Sequence, residues 1–179
     1  MVVGVDWNGY EPYDPGVRGP LHELSRGDAK AAFERLIDAK DERIEALRKL
    51  AAANGVDLGG SDSAVQDLND WFRTNVEADP EAPDRLAPLW YSVVNDIALY
   101  LGELVIRDAP HLQWTMFDAG KRDAAFQRHV IMGFTQVPNA EYNLDIDMAV
   151  ATYAHRIIAG QQVDEQFFYR VLQAARVKA

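Results

Sequence analysis

The sequence predicts an α+β fold in which about five helices surround a small antiparallel sheet. Three observations predict it. Residues 85–107 are apolar nearly all round at helical spacing, residues 111–134 hold two runs of period two, and four further stretches carry one apolar stripe each. A chain of 179 residues is long enough to bury a substantial core, so one domain over residues 1–179 is expected.

Residues 1–27 are broken by Gly4, Gly9, Pro12, Pro15, Gly16, Gly19, Pro20 and Gly27, which excludes a long regular element. Residues 2–5 suit one short edge strand. Trp7, Tyr10 and Tyr13 are costly to leave in water, so this arm should lie over the body. From Asp28 the period becomes helical. Phe33, Ile37, Ile44, Leu47 and Ala51 form a stripe flanked by Leu36 and Leu50; Lys40 interrupts it, and Asn54-Gly55 ends it. Ser63 with Gln66 reads as a capping box for a second helix carrying Val65, Leu68, Phe72 and Val76. Two prolines then make residues 77–83 an acidic connector.

The third helix is the most telling. Asp84 is placed to cap it, Pro88 suits its first turn, and Pro110 sets its end. Leu86, Leu89, Trp90, Val93, Val94, Ile97, Leu101, Leu104 and Val105 cover far more than one face, which is the pattern of a helix buried on most sides. Gly102, costing about 1 kcal/mol against alanine in a helix, suggests close approach of another backbone. A hairpin follows near 111–117 and 126–134, too small to stand without a covering layer. Asp145-Ile146-Asp147 opens a fourth helix ending at Gly160, and Asp164 is placed to cap a fifth with Phe167, Phe168, Val171, Leu172 and Ala175 on its buried face.

Composition excludes several classes of function. Without cysteine there is no disulfide or thiolate chemistry, which leaves histidine and carboxylates as metal ligands. The start lacks a signal pattern and no run approaches a membrane span, so a cytoplasmic protein is expected. The net charge of −10 is unevenly spread. Residues 57–108 hold eleven acids against three bases, whereas 1–56 hold ten against eight and 109–179 seven against seven. Such a middle repels nucleic acid and anionic membrane and attracts a basic protein, although a solubilising excess gives the same pattern. Glu77, Asp79, Glu81 and Asp84, with the aromatic arm residues Trp7, Tyr10 and Tyr13, are the candidate contact surface.

No nucleophile elbow, phosphate loop, zinc-protease helix or dinucleotide fingerprint is present, and no cofactor is expected. Three constellations are worth weighing. Asp145 and Asp147 would share a divalent cation on extended backbone, and would serve the helix dipole at a helix start. Asp96 and Glu103, seven apart on one helix face, would carry acid–base chemistry if buried; a wet edge or an ion pair such as Glu103 with Arg107 is the plainer expectation. Arg128-His129 and His155-Arg156 would converge on an anion if the fourth helix packs on the hairpin. Alternation, however, sends Arg128 and His129 to opposite faces.

Residues 68–72 (LNDWF), 96–103 (DIALYLGE) and 110–114 (PHLQW) together resemble a pattern in small uncharacterised bacterial domains, where a helix ending "yLGE" precedes a strand bearing tryptophan. The resemblance covers residues 65–135 and rests on packing motifs. It implies a stand-alone domain of the kind suspected in toxin–immunity or phage-conflict settings, and carries no catalytic residue. The expectation is therefore a non-enzymatic protein-binding domain, immunity-like or accessory to a conflict system. The alternative is a small metal-dependent hydrolase using Asp145, Asp147 and a histidine such as His129 or His155, with Glu103 a further catalytic candidate.

Overall fold

A computed structural model of the chain describes residues 4–179. The elements run α1 (Arg26–Ala53), α2 (Asp62–Asn75), β1 (Ala78–Asp79), β2 (Ala82–Leu86), α3 (Pro88–Asp108), β3 (Gln113–Met116), β4 (His129–Met132), α4 (Ile146–Ile158) and α5 (Phe167–Lys178), with a single 3₁₀ turn at Leu21–Glu23. The fold is α+β, with helix dominant.

α3 occupies the centre because most of its surface is apolar, Tyr91 and the two ends being its exposed parts. Val93, Ile97, Ala98, Leu99 and Leu101 are wholly buried, and α1, α4 and α5 all pack against it. Fully burying each large apolar side chain is worth about 1.5–3 kcal/mol. By length and composition α3 could cross a membrane, yet 72% of its most apolar window is buried within the fold. Around it, Leu36, Leu47 and Leu50 of α1 meet the core, as do Val65, Leu68 and Phe72 of α2. Phe33, expected on the buried stripe, is only half-buried; the side chain borders a cavity.

Three helix starts differ from expectation. Ser61, not Ser63, caps α2 by accepting from the Ala64 N–H, and Gln66 instead bonds Asp70 and the Glu165 carbonyl. Asp84 lies in β2, leaving α3 without a side-chain cap and Pro88 at its first turn; a missing donor costs nothing there. Asp164 accepts from the Gln166 N–H one turn ahead of α5.

Residues 77–83 are not a plain connector. Ala78 pairs with Leu86 and Asp79 with Ala82 in an antiparallel ribbon. Prolines at a ribbon's turn and edge remove no ladder bond, so they permit what they were expected to forbid. Buried Leu86 pins the ribbon to the core. The second hairpin is shorter than 111–117 and 126–134: Gln113–Met116 pairs with His129–Met132, Trp114 opposite Ile131. Ile131 also exchanges two hydrogen bonds of 2.9 Å with Leu144, a one-residue third strand supporting a pair that would be marginal alone. Gly102 makes room for a side chain and not a backbone. A Cβ there would lie 2.2 Å from Trp114 Cζ2.

The arm is fastened to the body along its length. The Asp6 backbone exchanges hydrogen bonds with the Asn54 side chain, and Trp7 packs edge-on against Trp90. Further along, Arg43 reaches the Glu11 carbonyl and Arg35 the Pro15 carbonyl. Of the expected edge strand, residues 2 and 3 lie outside the described residues; Gly4 and Val5 are not in a strand.

Candidate functional site

Between the arm and the body lies a cavity of about 350 Å³. Tyr13, Pro15 and Val17 of the arm form one wall, and Ala29, Ala32, Phe33 and Leu36 of α1 a second. Tyr91, Ser92 and Asn95 from the first turns of α3 form a third, and Gln127, His129 and Asp147 close the far end. The helical spacing of α1 explains its wall: residues 29, 32, 33 and 36 share one face at i, i+3, i+4 and i+7.

Behind the wall, one buried network holds the arm in place. Asp96 has no exposure. Arg43 meets it with two donors, Nε at 3.0 Å and Nη2 at 2.6 Å, and the Tyr10 hydroxyl donates to the same carboxylate. The Ser92 hydroxyl oxygen accepts from the Tyr13 N–H at 2.8 Å and from Arg43 at 3.2 Å, and donates its own proton to the Tyr10 oxygen at 2.9 Å. Burial pushes the Asp96 carboxyl up from the ordinary range, while the bonds from Arg43 and Tyr10 pull it back down. Burial, and then the Asp96 charge, push the Tyr10 phenol up. The phenol keeps its proton and donates.

A second ion-pair cluster lies beside His129. Arg128 Nε contacts Asp145 Oδ2 at 2.5 Å, and Nη2 contacts Asp147 Oδ2 at 2.8 Å. Asp145 also caps α4, accepting from the Met148 N–H. Among the described residues no group of three His, Asp or Glu side chains is placed to hold a metal ion. Here the two carboxylates are turned to a guanidinium and a helix start.

His129 is 8% exposed, and its Nε2 has no hydrogen-bond partner. Burial pushes the imidazole below its ordinary range; the Asp147 and Asp145 carboxylates oppose that and the Arg128 charge adds to it. Across the cavity the Tyr13 hydroxyl is likewise buried without a partner. Gln127 sits in the left-handed backbone region at φ 62°, an uncommon conformation for a residue with a side chain. Its amide donates to the Leu21 and Leu24 carbonyls at 2.7 and 3.0 Å. That fixes the amide's orientation and leaves Oε1, on a residue that lines the cavity, free of those bonds.

The neutral imidazole has a consequence for stability. An unfolded histidine titrates near about 6.5, above the depressed folded value, so below that pH the unfolded state binds the proton first and stability falls as pH falls. Between pH 7.5 and 5.5 the melting temperature of the wild type should drop further than that of His129→Gln. Equal drops would remove His129 as a buried neutral group.

The other expected residues lie elsewhere. Glu103 is not paired with Arg107: it bonds Lys40 Nζ at 2.7 Å and accepts from Trp114 Nε1 at 2.8 Å. His155 bonds the Ala151 carbonyl of its own helix and lies near Tyr91; Arg156 is exposed, so the four-residue anion site does not assemble. Glu77, Glu81 and Asp84 are exposed on the β1–β2 ribbon, and Asp79 accepts from the Glu81 N–H. Trp7 and Tyr10 turn inward, and Tyr13 becomes a cavity wall.

The sequence reading missed Arg43, Ser92 and Gln127. Arg43 carried a legible signal: it stands seven after Leu36 and four before Leu47, on the apolar stripe itself. Ser92 and Gln127 carried none. Comparison of the chain with protein-family models, with curated proteins and with solved structures finds no match in any of the three.

Proposed function

We propose that this chain is a binding domain whose ligand occupies the cavity beneath the arm. The observation that carries this reading is an apolar recess lined by two residues, His129 and Tyr13, whose buried Nε2 and Oη lack partners. Leaving a buried polar group unpaired costs about 1–3 kcal/mol, and a ligand toward which either side chain turns to pair recovers part of it. The volume, about 350 Å³, lies within the range of roughly 300–1,000 Å³ common for small-molecule sites. The groups that would do chemistry nearby are already engaged: the Ser92 hydroxyl accepts two hydrogen bonds and donates one, and Asp145 and Asp147 face Arg128. Recognition is what remains. A basic protein partner for the acidic ribbon is supported by exposed charge alone, which solubility also produces.

The test uses N-phenyl-1-naphthylamine, a neutral apolar dye that fluoresces when removed from water. It should bind the wild type saturably, with one equivalent per chain, and raise the melting temperature by mass action. Ala32→Trp, which fills the recess, should abolish that binding, and the milder Ala32→Leu should weaken it by about tenfold, equivalent to 1.4 kcal/mol. Melts followed by circular dichroism establish that both variants are folded. A signal that never saturates, or one unchanged in both variants, would end the reading.

A further inference from the structure

We infer that the cavity selects an amine on a ring-sized apolar body, and discriminates against anions. This rests on the binding reading above and names the ligand class. The polar end of the recess is built from acceptors. Gln127 presents Oε1, because both its amide hydrogens are held by arm carbonyls. Asp147 lines the cavity with one carboxylate oxygen turned to Arg128. His129 adds no positive charge, because burial lowers the proton affinity of its imidazole.

The charge balance points the same way. Arg128 is shared by two carboxylates, and the partial positive end of α4, worth roughly half a charge, does not neutralise the second. Among the described residues no lysine or arginine side chain lines the recess. An anion entering it would meet the net negative Arg128–Asp145–Asp147 cluster and no lysine or arginine in the lining itself. An ammonium would meet Asp147 and Gln127 Oε1 as acceptors, with the rings of Phe33 and Tyr91 in the walls; the Tyr13 ring already faces the Arg43 guanidinium. Aromatic faces attract cations, and the apolar surface of α1 takes the rest of the molecule.

The experiment is displacement of N-phenyl-1-naphthylamine from the full chain by two ligands with the same ring system, tryptamine and indole-3-propionate. Tryptamine should displace the dye at a concentration at least about tenfold below the acid, the effect of a single favourable charge contact at partial exposure. Asp147→Asn, which keeps a hydrogen bond to Arg128, should bring the two ligands to within about threefold of each other, each displacement being referred to the dye affinity measured on that variant. Tyr91→Leu should weaken tryptamine by more than it weakens the acid, because both lose the ring contact and only tryptamine loses a cation–aromatic one. Equal displacement by both ligands, a preference for the acid, or a tryptamine preference that survives Asp147→Asn would overturn the amine inference. Dye binding would then still stand, whereas a dye that does not bind at all overturns the reading beneath it.

Discussion

Arg43→Met should destabilise the fold by about 3–5 kcal/mol at pH 7, the range for removing one partner from a buried ion pair. The reason lies with what is left behind. Asp96 is wholly inside the protein, and two of the donors that make its charge tolerable belong to Arg43. Tyr10 still donates, but one phenol does not replace a guanidinium. Urea denaturation measures the loss. The sign of its pH dependence identifies the cause. Burial already raises the Asp96 carboxyl above its unfolded value, and loss of Arg43 raises it further. The native variant therefore binds a proton where its unfolded chain does not, so its deficit against the wild type should shrink as pH falls from 7 toward the unfolded carboxylate value near about 4. Arg43→Met combined with Asp96→Leu should lose far less than the two single changes added together, since charge and counter-charge leave as one. A deficit under about 1 kcal/mol in Arg43→Met would mean that Asp96 is solvated, and would remove the network as the anchor of the arm.

That network also marks where the sequence stops being legible. The central helix could be read because Val93, Ile97 and Leu101 leave its sides no solvent-facing alternative, and the hairpin because period two is unambiguous around Trp114 and Val130. Helix starts were less secure: Ser61 and Ser63 are both good caps, and which one acts depends on where the preceding turn delivers the chain. The ribbon at 78–86 was hidden by its prolines, which forbid central strands and say nothing against a short edge. The cavity was not legible at all. Its walls come from residues 12–36, 88–95 and 127–147, and no local pattern encodes that meeting. What could be read were its ingredients taken singly. Asp147 follows from the acidic start of α4, and His129 from the hairpin. The bonds that bring Tyr13 over them run through Ser92, a residue with no sequence signature, and through Arg43, whose place on an apolar stripe was the one clue.

Gly102→Ala tests the packing of α3 against the hairpin, and it sets two effects against each other. In an exposed helix the change would stabilise by about 1 kcal/mol. Here the new Cβ falls 2.2 and 2.5 Å from Trp114 Cζ2 and Cη2, and 3.2 Å from Ile131 Cδ1. The indole is not a loose chain end that can swing aside, because its N–H donates to Glu103 at 2.8 Å and Ile131 is locked to both Trp114 and Leu144. Overpacking of this kind costs typically about 1–3 kcal/mol, and displacing the ring also forfeits a hydrogen bond to a carboxylate, about 1.5–3 kcal/mol. The clash outweighs the helix gain, and the net loss should be about 2–4 kcal/mol in urea denaturation. Trp114→Phe removes the ring carbons that clash. Alone it should destabilise, and together with Gly102→Ala it should cost less than the sum by at least about 1 kcal/mol, the coupling expected of residues in direct contact. A Gly102→Ala protein more stable than the wild type would show the two surfaces to be apart, leaving the glycine, the tryptophan and the lysine–glutamate pair beside them without a common reason.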